Sequence, residues 1–315
     1  MPEFISIGEC MVELFSDQPL EEAETFTRSL AGDSLNILVA ASRLGTSTGY
    51  ITRLGSDPFT DYLLKTWENE GIDTSHVRKI DGFNAVHFVA QLPRGDREFV
   101  YYRKGSAPST MSPHDIDVNY ISSAKIVHIS GITQAISQNA RETVYRAASL
   151  AKDNNVKVSY DPNYRHQLWS PIEARKAMQE IMPYVNYFLP SCPADTKILF
   201  DTGDPREAAQ KALAYGPELA AVTCGENGTF IMTRSASFDI PAYTYGSVID
   251  TAGSGDTFKG TFLHGILEGM SVHQAGHLAS VAAGLNLRGR GALTAMPTKS
   301  EIHGEFNNLG IEPKD

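Results

Sequence analysis

Short apolar runs alternate with amphipathic, glycine-stopped stretches along most of the chain, and this alternation restricts its fold more than any other feature. Phe4-Ile5-Ser6-Ile7-Gly8 reads as a buried strand closed by glycine. Asn36 to Leu44 follows the small residues Ala31-Gly32-Asp33-Ser34 and stops at Gly45, the stop signal of a helix. Tyr50 to Leu54 is the next strand, and Pro58 to Glu70 the next helix, with proline in its first turn and Gly71 past its end. Strands then follow at Ile126 to Ile129, Val156 to Tyr160, Tyr187 to Leu189 and Ala220 to Thr223. Helices at Ser137 to Asn154, Pro171 to Met182 and Pro205 to Tyr215 separate them, and two more, around Phe258 to Glu268 and Val272 to Leu287, close the pattern. Repeated strand-then-helix units predict an α/β fold, a mostly parallel sheet with helices on both faces.

One segment breaks the alternation. Val86, Phe88 and Ala90 alternate with His87, Val89 and Gln91; a Pro93-Arg94-Gly95-Asp96 turn follows, then Glu98 to Tyr102. This is a β-hairpin, which does not fit a parallel sheet and is expected to form a separate flap that closes over a ligand. No repeat, low-complexity tract or linker divides the 315 residues. A single domain over residues 1–315 is expected, with a small β lid from residues 10–30 and 84–104.

Charge and cysteine usage exclude several functions. A net charge of −10 argues against a nucleic-acid partner, so an anion site has to gather its positive charge locally. Cys10, Cys192 and Cys224 are scattered at no metal-like spacing, which suits a reducing cytoplasm. The start Met1-Pro2-Glu3-Phe4 lacks a signal-peptide pattern, and no run is long and apolar enough to predict a membrane span.

The chemistry concentrates in Ile249 to Phe258. Three small residues, Gly253-Ser254-Gly255, precede Asp256 and an apolar segment that reads as a buried helix. Unpaired amides and a positive macrodipole make a helix start an anion site. Asp256 beside it stands where a general base activates a hydroxyl for attack on phosphate. An ordinary glycine-rich turn with Asp256 as N-cap is the plainer alternative. Other polar residues fall where strands end: Glu9, Asp33, Asp161-Asn163-Arg165, Asp195 and Thr223-Gly225, with Asp250 to Asp256 read the same way. Each is readable as a turn or cap; together they suggest one cleft beyond the carboxyl ends of the strands. Gly225-x-x-Gly228 lies between two strands, and no Lys-Ser/Thr phosphate loop occurs, so a nucleotide has to use the 251–256 segment.

Asp250-Thr251-Ala252-Gly253-Ser254-Gly255-Asp256 resembles the C-terminal signature of the ribokinase-like (PfkB) carbohydrate kinases. Ala31-Gly32-Asp33-Ser34-Leu35-Asn36 with Leu44-Gly45 resembles their N-terminal one, and order and spacing match over essentially the whole chain. Val100 to Ala107, His128 to Thr133, Asp161 to Arg165 with Leu168-Trp169, and Asp195 to Leu199 are most similar to the members acting on 2-keto-3-deoxygluconate. The resemblance implies a ribokinase-like, Rossmann-like sheet with a β lid and ATP-dependent phosphorylation of the 6-hydroxyl of such a sugar acid. It implies Asp256 as base, with the Gly253, Ser254 and Gly255 amides on the transferring phosphoryl group. Gly32, Asp33, Asn36, His87, Tyr101, Arg103 and Arg165 would bind the sugar acid. Thr223, Gly225, Gly228, Thr251 and Asn286 would border ATP, and Asp195 is placed toward Mg²⁺. Independently, a sugar acid carries a carboxylate that guanidinium groups such as Arg103 and Arg165 recognise, and strand alternation puts Tyr101 on the face of Arg103.

The chain departs from the family pattern at four places. Ala31 replaces the usual first glycine, and Ala252 and Ser254 are small substitutes within the second signature. Cys192-Pro193-Ala194-Asp195 stands for Asn-x-x-Glu; Cys192 offers no hard oxygen, which leaves Mg²⁺ to ATP phosphates and water. His87 stands where sugar-acid kinases often carry tyrosine. A kinase for fructose or another sugar, and a non-catalytic sugar-responsive regulator, are the alternatives. The exposed lid strands offer an edge to a second copy of the chain, as a homodimer or larger homo-oligomer.

Overall fold

A computed structural model describes residues 1–91 and 97–312. The turn predicted at Pro93-Arg94-Gly95-Asp96 lies outside the described residues. The chain opens with β1 (Phe4–Ile7), passes through β2 (Met11–Ser16) and β3 (Thr27–Ala31), and enters α1 (Asp33–Leu44). β4 (Thr48–Leu54), α2 (Thr60–Asn69), β5 (Ile72–Asp73) and β6 (Val77–Lys79) precede the predicted hairpin, β7 (Ala85–Gln91) and β8 (Arg97–Tyr102). Then come α3 (Val118–Ser123), β9 (Ile126–Ser130), α4 (Gly131–Ile136), α5 (Gln138–Asp153), β10 (Lys157–Asp161) and α6 (Pro171–Ile181). β11 (Tyr187–Phe188), α7 (Thr196–Phe200), α8 (Pro205–Leu213), β12 (Leu219–Thr223), β13 (Thr229–Thr233) and β14 (Ser237–Ile240) complete the strands. α9 (Ser254–Leu267), α10 (Val272–Asn286) and α11 (Lys299–Asn308) follow.

The large sheet runs β14-β13-β12-β11-β10-β9-β1-β4-β5, with β6 also on β4. It is parallel from β12 to β5 and antiparallel at the β13–β14 edge. Alternate residues of one strand feed two cores. Ile5, Ile7, Val127, Ile129, Val158 and Tyr160 pack with the buried faces of α3, α5, α6 and α8. Phe4, Tyr50, Leu54 and Ile126 pack with α1, α2, α9 and α10 instead. Both faces are therefore covered, and β1 and β9 are buried at every residue, as central parallel strands require.

The second sheet, β3-β2-β7-β8, is the expected lid, built from the two segments assigned to it. β2 runs parallel to β7, and β8 returns antiparallel, pairing His87 with Tyr101.

Three expectations change. α11 adds a helix beyond the two expected at the end; it buries only Ile302, so its apolar periodicity is faint, and a Thr298–Glu301 capping box marks its start. Pro58 lies in the turn before α2, which begins at Thr60. Asp250 does not end a strand: residues 241–253 are irregular, and the second signature is delivered to the cleft by the start of α9 instead.

Candidate active site

A cavity of about 1260 Å³ lies between the lid and the strand ends of the main sheet. Alternate lid residues dominate its roof: Met11, Glu13 and Phe15 on β2, Thr27, Ser29 and Ala31 on β3, His87 and Val89 on β7, and Phe99 and Tyr101 on β8, with Arg28 and Val100 also at its border. Gly32, Asp33, Asn36, Asn163, Arg165, Gly253 and Asp256 form its floor. All seven residues predicted to hold the sugar acid, Arg103 included, therefore border one space, together with Asp256 from a distant part of the sequence.

Asp256 is the third residue of α9, not its cap. The cap is Gly253, whose φ of 74° favours glycine and whose added Cβ would meet Ala292 Cβ at 2.6 Å. Among the described residues the Gly253, Gly255 and Asp256 amides have no acceptor, while Ser254 N–H turns to Thr251 O at 3.4 Å. Free amides at the positive end of a fourteen-residue helix form an anion cradle. The Asp256 carboxylate accepts a 2.8 Å bond from Asn36 Nδ2. Burial pushes this carboxyl up to about 6, with Asp33 adding to the rise and Lys259, Asn36 and Arg165 opposing it. The two signatures thus meet through one hydrogen bond spanning 220 residues of sequence.

Gly32 caps α1 without a side chain, because an added Cβ would sit 2.4 Å from Glu9 O. The Asp33 carboxylate accepts from Ser34 N at 2.8 Å and from Asn163 Nδ2 at 3.3 Å. Asn36 serves Asp256 through its amide nitrogen, while its buried Oδ1 has no partner among the described residues.

The two arginines differ. Arg103 is ion-paired with Glu9, whose side chain is 1% exposed, so the anion predicted for Arg103 is already supplied by the protein. Burial pushes the Glu9 carboxyl up, against the pull of that guanidinium. Arg165 is exposed to the cleft and makes no ion pair among the described residues, yet its charge reaches both Tyr101 and Asp256. His87 is buried with Nε2 3.1 Å from Glu13 Oε2 and its ring stacked on Tyr101, centroids 5.5 Å apart. The lid is tethered across the cleft by Arg97 on Asp250 and by Arg290 on Asp17.

The residues assigned to nucleotide and metal divide. Thr223, Gly225 and Thr251 stand at least partly open to solvent near the second signature and the β12 end. Gly228 is buried, and an added Cβ there would meet Ile240 O at 2.1 Å, so glycine is needed for packing of the β13–β14 edge. Asn286 is wholly buried and donates to Ala292 O at 3.4 Å, so it supports the loop behind Gly253. Asp195 is also buried, and its two oxygens accept the Tyr164 and Ser191 amides at 2.8 and 2.7 Å. Those bonds make it a loop clamp. No group of three potential metal ligands gathers among the described residues.

Sequence reading missed Glu9 as the partner of Arg103, Glu13 as the partner of His87, and Lys259 beneath Asp256. Glu9 carried a signal only as a polar residue at a strand end, and Lys259 as a lone charge inside an apolar run.

Comparison with known proteins places this architecture. The sequence pattern of the "pfkB family carbohydrate kinase" matches residues 1–299. A 2-dehydro-3-deoxygluconokinase of Thermoproteus tenax is 32% identical over 96% of this chain and 93% of its own length. A probable fructokinase-2 of Arabidopsis thaliana is 30% identical over 94% of this chain and 93% of its own. An uncharacterized sugar kinase of Pyrococcus horikoshii, solved in complex with ATP, superposes with a TM-score of 0.83 at 28% identity, over 95% of this chain and 96% of that one. With both signatures joined at one cleft and the pattern covering nearly its full length, the chain belongs to the pfkB family of carbohydrate kinases.

Proposed function

We propose that this kinase transfers the γ-phosphoryl group of MgATP to the 6-hydroxyl of 2-keto-3-deoxygluconate or a close sugar acid. The observation that carries the reading is Arg165, a guanidinium open to the cleft that makes no ion pair among the described residues, with Tyr101 and Asp256 within reach of its charge. An arginine held there in a protein of net charge −10 suits a substrate carboxylate, bound by two parallel hydrogen bonds. The sugar acid lies under the lid against Gly32, Asp33, Asn36 and Tyr101. Arg103 and His87 shape that roof through Glu9 and Glu13. Asp256 takes the proton of the attacking hydroxyl, and the free Gly253, Gly255 and Asp256 amides bear the charge of the transferring group, with Ser254 N–H held by Thr251 O. Thr223, Gly225 and Thr251 border the nucleotide, and Mg²⁺ enters with its phosphates.

ADP release measured over a panel of sugar acids and neutral sugars tests this reading. Turnover is expected to be fastest with 2-keto-3-deoxygluconate. Faster turnover of fructose or ribose than of every sugar acid would favour a neutral-sugar kinase, the reading supported by His87 and by the fructokinase likeness. No turnover with any sugar would favour a sugar-responsive regulator.

The pH profile of kcat/KM is a second check. Asp256 has to be ionised to act as base, and burial raises its carboxyl to about 6. Activity is therefore expected to be full above that value and to fall about tenfold per unit as pH drops below it. A profile flat down to about pH 4.5, well inside the ordinary carboxylate range, would count against a buried base.

The lid also provides a surface for self-association. Its outer face bears the aromatic cluster Phe26, Phe88 and Tyr102, with Tyr102 62% exposed. A homodimer through this sheet is the arrangement we favour.

A further inference from the structure

Beneath the cleft floor one ammonium faces several carboxylates. Lys259 follows Asp256 by three positions on α9, so both side chains rise from one face of the helix. Its Nζ donates to Asp161 Oδ2 at 2.5 Å, with side chains only 4% and 0% exposed. Asp161 ends β10 and turns its other oxygen to the Asn163 amide at 3.2 Å. Asp195, from the loop after β11, and Asp256 complete the set that acts on Lys259, and Asp33 on α1 acts on both Asp161 and Asp256.

A pair with Asp161 alone would cancel the lysine's charge, but the surroundings do not match that simple picture. Burial works against the ammonium, yet Asp161, Asp256 and Asp195 together outweigh it and hold Lys259 above the ordinary lysine value. The same ammonium pulls down both Asp161 and Asp256, whose carboxyls burial pushes up. From β9, His128 contributes no charge: it is buried, bonded to Ser159 Oγ at 2.8 Å, and pushed down to about 3 by burial and by Lys259. Arg165 is the other cation acting on Asp256, and it stands on the exposed side, where a substrate carboxylate would occupy it.

We propose that Lys259 is a positioning residue for phosphoryl transfer: from its seat on Asp161 it supplies the fixed positive charge that keeps Asp256 ionised beneath a bound substrate. This rests on Asp256 being the base. The arrangement has a consequence of opposite sign at its two ends. Removing the ammonium leaves Asp256 among uncompensated carboxylates and raises its proton affinity. Neutralising Asp161 frees the ammonium for Asp256 and lowers it.

Lys259→Met and Asp161→Asn, with Asp256→Asn beside them, test it by kcat/KM between about pH 5 and about pH 9 on the panel sugar turned over fastest. The acid limb is expected to move up by about one unit in Lys259→Met and down by about one unit in Asp161→Asn. Lys259→Met then loses about tenfold near the limb and recovers toward the parent at alkaline pH. A merely structural role predicts the same loss at every pH. Coincident limbs, or limbs moving in one direction, overturn the proposal. Asn keeps an oxygen for the ammonium, so Asp161→Asn decides alone should Lys259→Met fail to fold, a downward shift supporting the proposal and none overturning it. An active Asp256→Asn would remove the base itself, whereas an inactive one with unmoved limbs removes only the role of Lys259.

Discussion

Asp256→Asn is expected to fold and to bind MgATP while kcat falls by about 10²–10⁴, the usual worth of a general base. The side chain is nearly isosteric, and its amide oxygen still accepts the 2.8 Å bond from Asn36. The free amides at the start of α9 do not depend on that carboxylate, so the phosphoryl cradle survives the change. What disappears is the group that receives the hydroxyl proton. Single-turnover kinetics separate this from lost binding: the chemical step should slow with little change in the affinity for nucleotide. The substitution also removes a carboxyl that burial raises to about 6, so the residual activity should lose its acid limb. A variant with near-parent kcat would take Asp256 out of the chemistry.

Arg165→Ala should lower kcat/KM for 2-keto-3-deoxygluconate about 30-fold to several thousandfold and barely change the KM for ATP. Truncating one partner of a hydrogen-bonded charge pair costs about 2–5 kcal/mol. The guanidinium is exposed before substrate arrives, so its removal should not disturb folding. Arg103→Ala provides the contrast. It would strand Glu9, 1% exposed, without its partner, and breaking a buried pair in this way costs about 3–5 kcal/mol of stability. One arginine should thus be read in substrate kinetics and the other in Tm. Equal losses for sugar acid and for ATP at Arg165 would sink the carboxylate assignment.

The fold was largely legible because its signals are local. Strand ends, helix stops and the Val86-to-Gln91 alternation follow from backbone conformation and the burial of nearby side chains, and these are written residue by residue. The exceptions carry weak local patterns: α11 buries a single side chain, and residues 241–253 bring Asp250 to the cleft without a strand. The second signature was legible for a related reason, since small residues before an apolar helix define an anion cradle within a few positions.

Partnerships were not legible. Arg103 and Arg165 look alike in the sequence, and only the loop after β1, which carries Glu9 under the lid, decides that one is satisfied and the other free. Gly228, Asn286 and Asp195 have neighbours that the sequence does not announce: Ile240 for the first, Ala292 for the second, Tyr164 and Ser191 for the third. Lys259 and Asp161 are 98 positions apart and meet where the first turns of α9 reach the end of β10. The sequence by itself determined the layers of the fold and the chemical types gathered at strand ends. The tertiary structure alone decided which charge faces which. Desolvation and Coulomb attraction act over a few ångströms of space, whatever the distance along the chain.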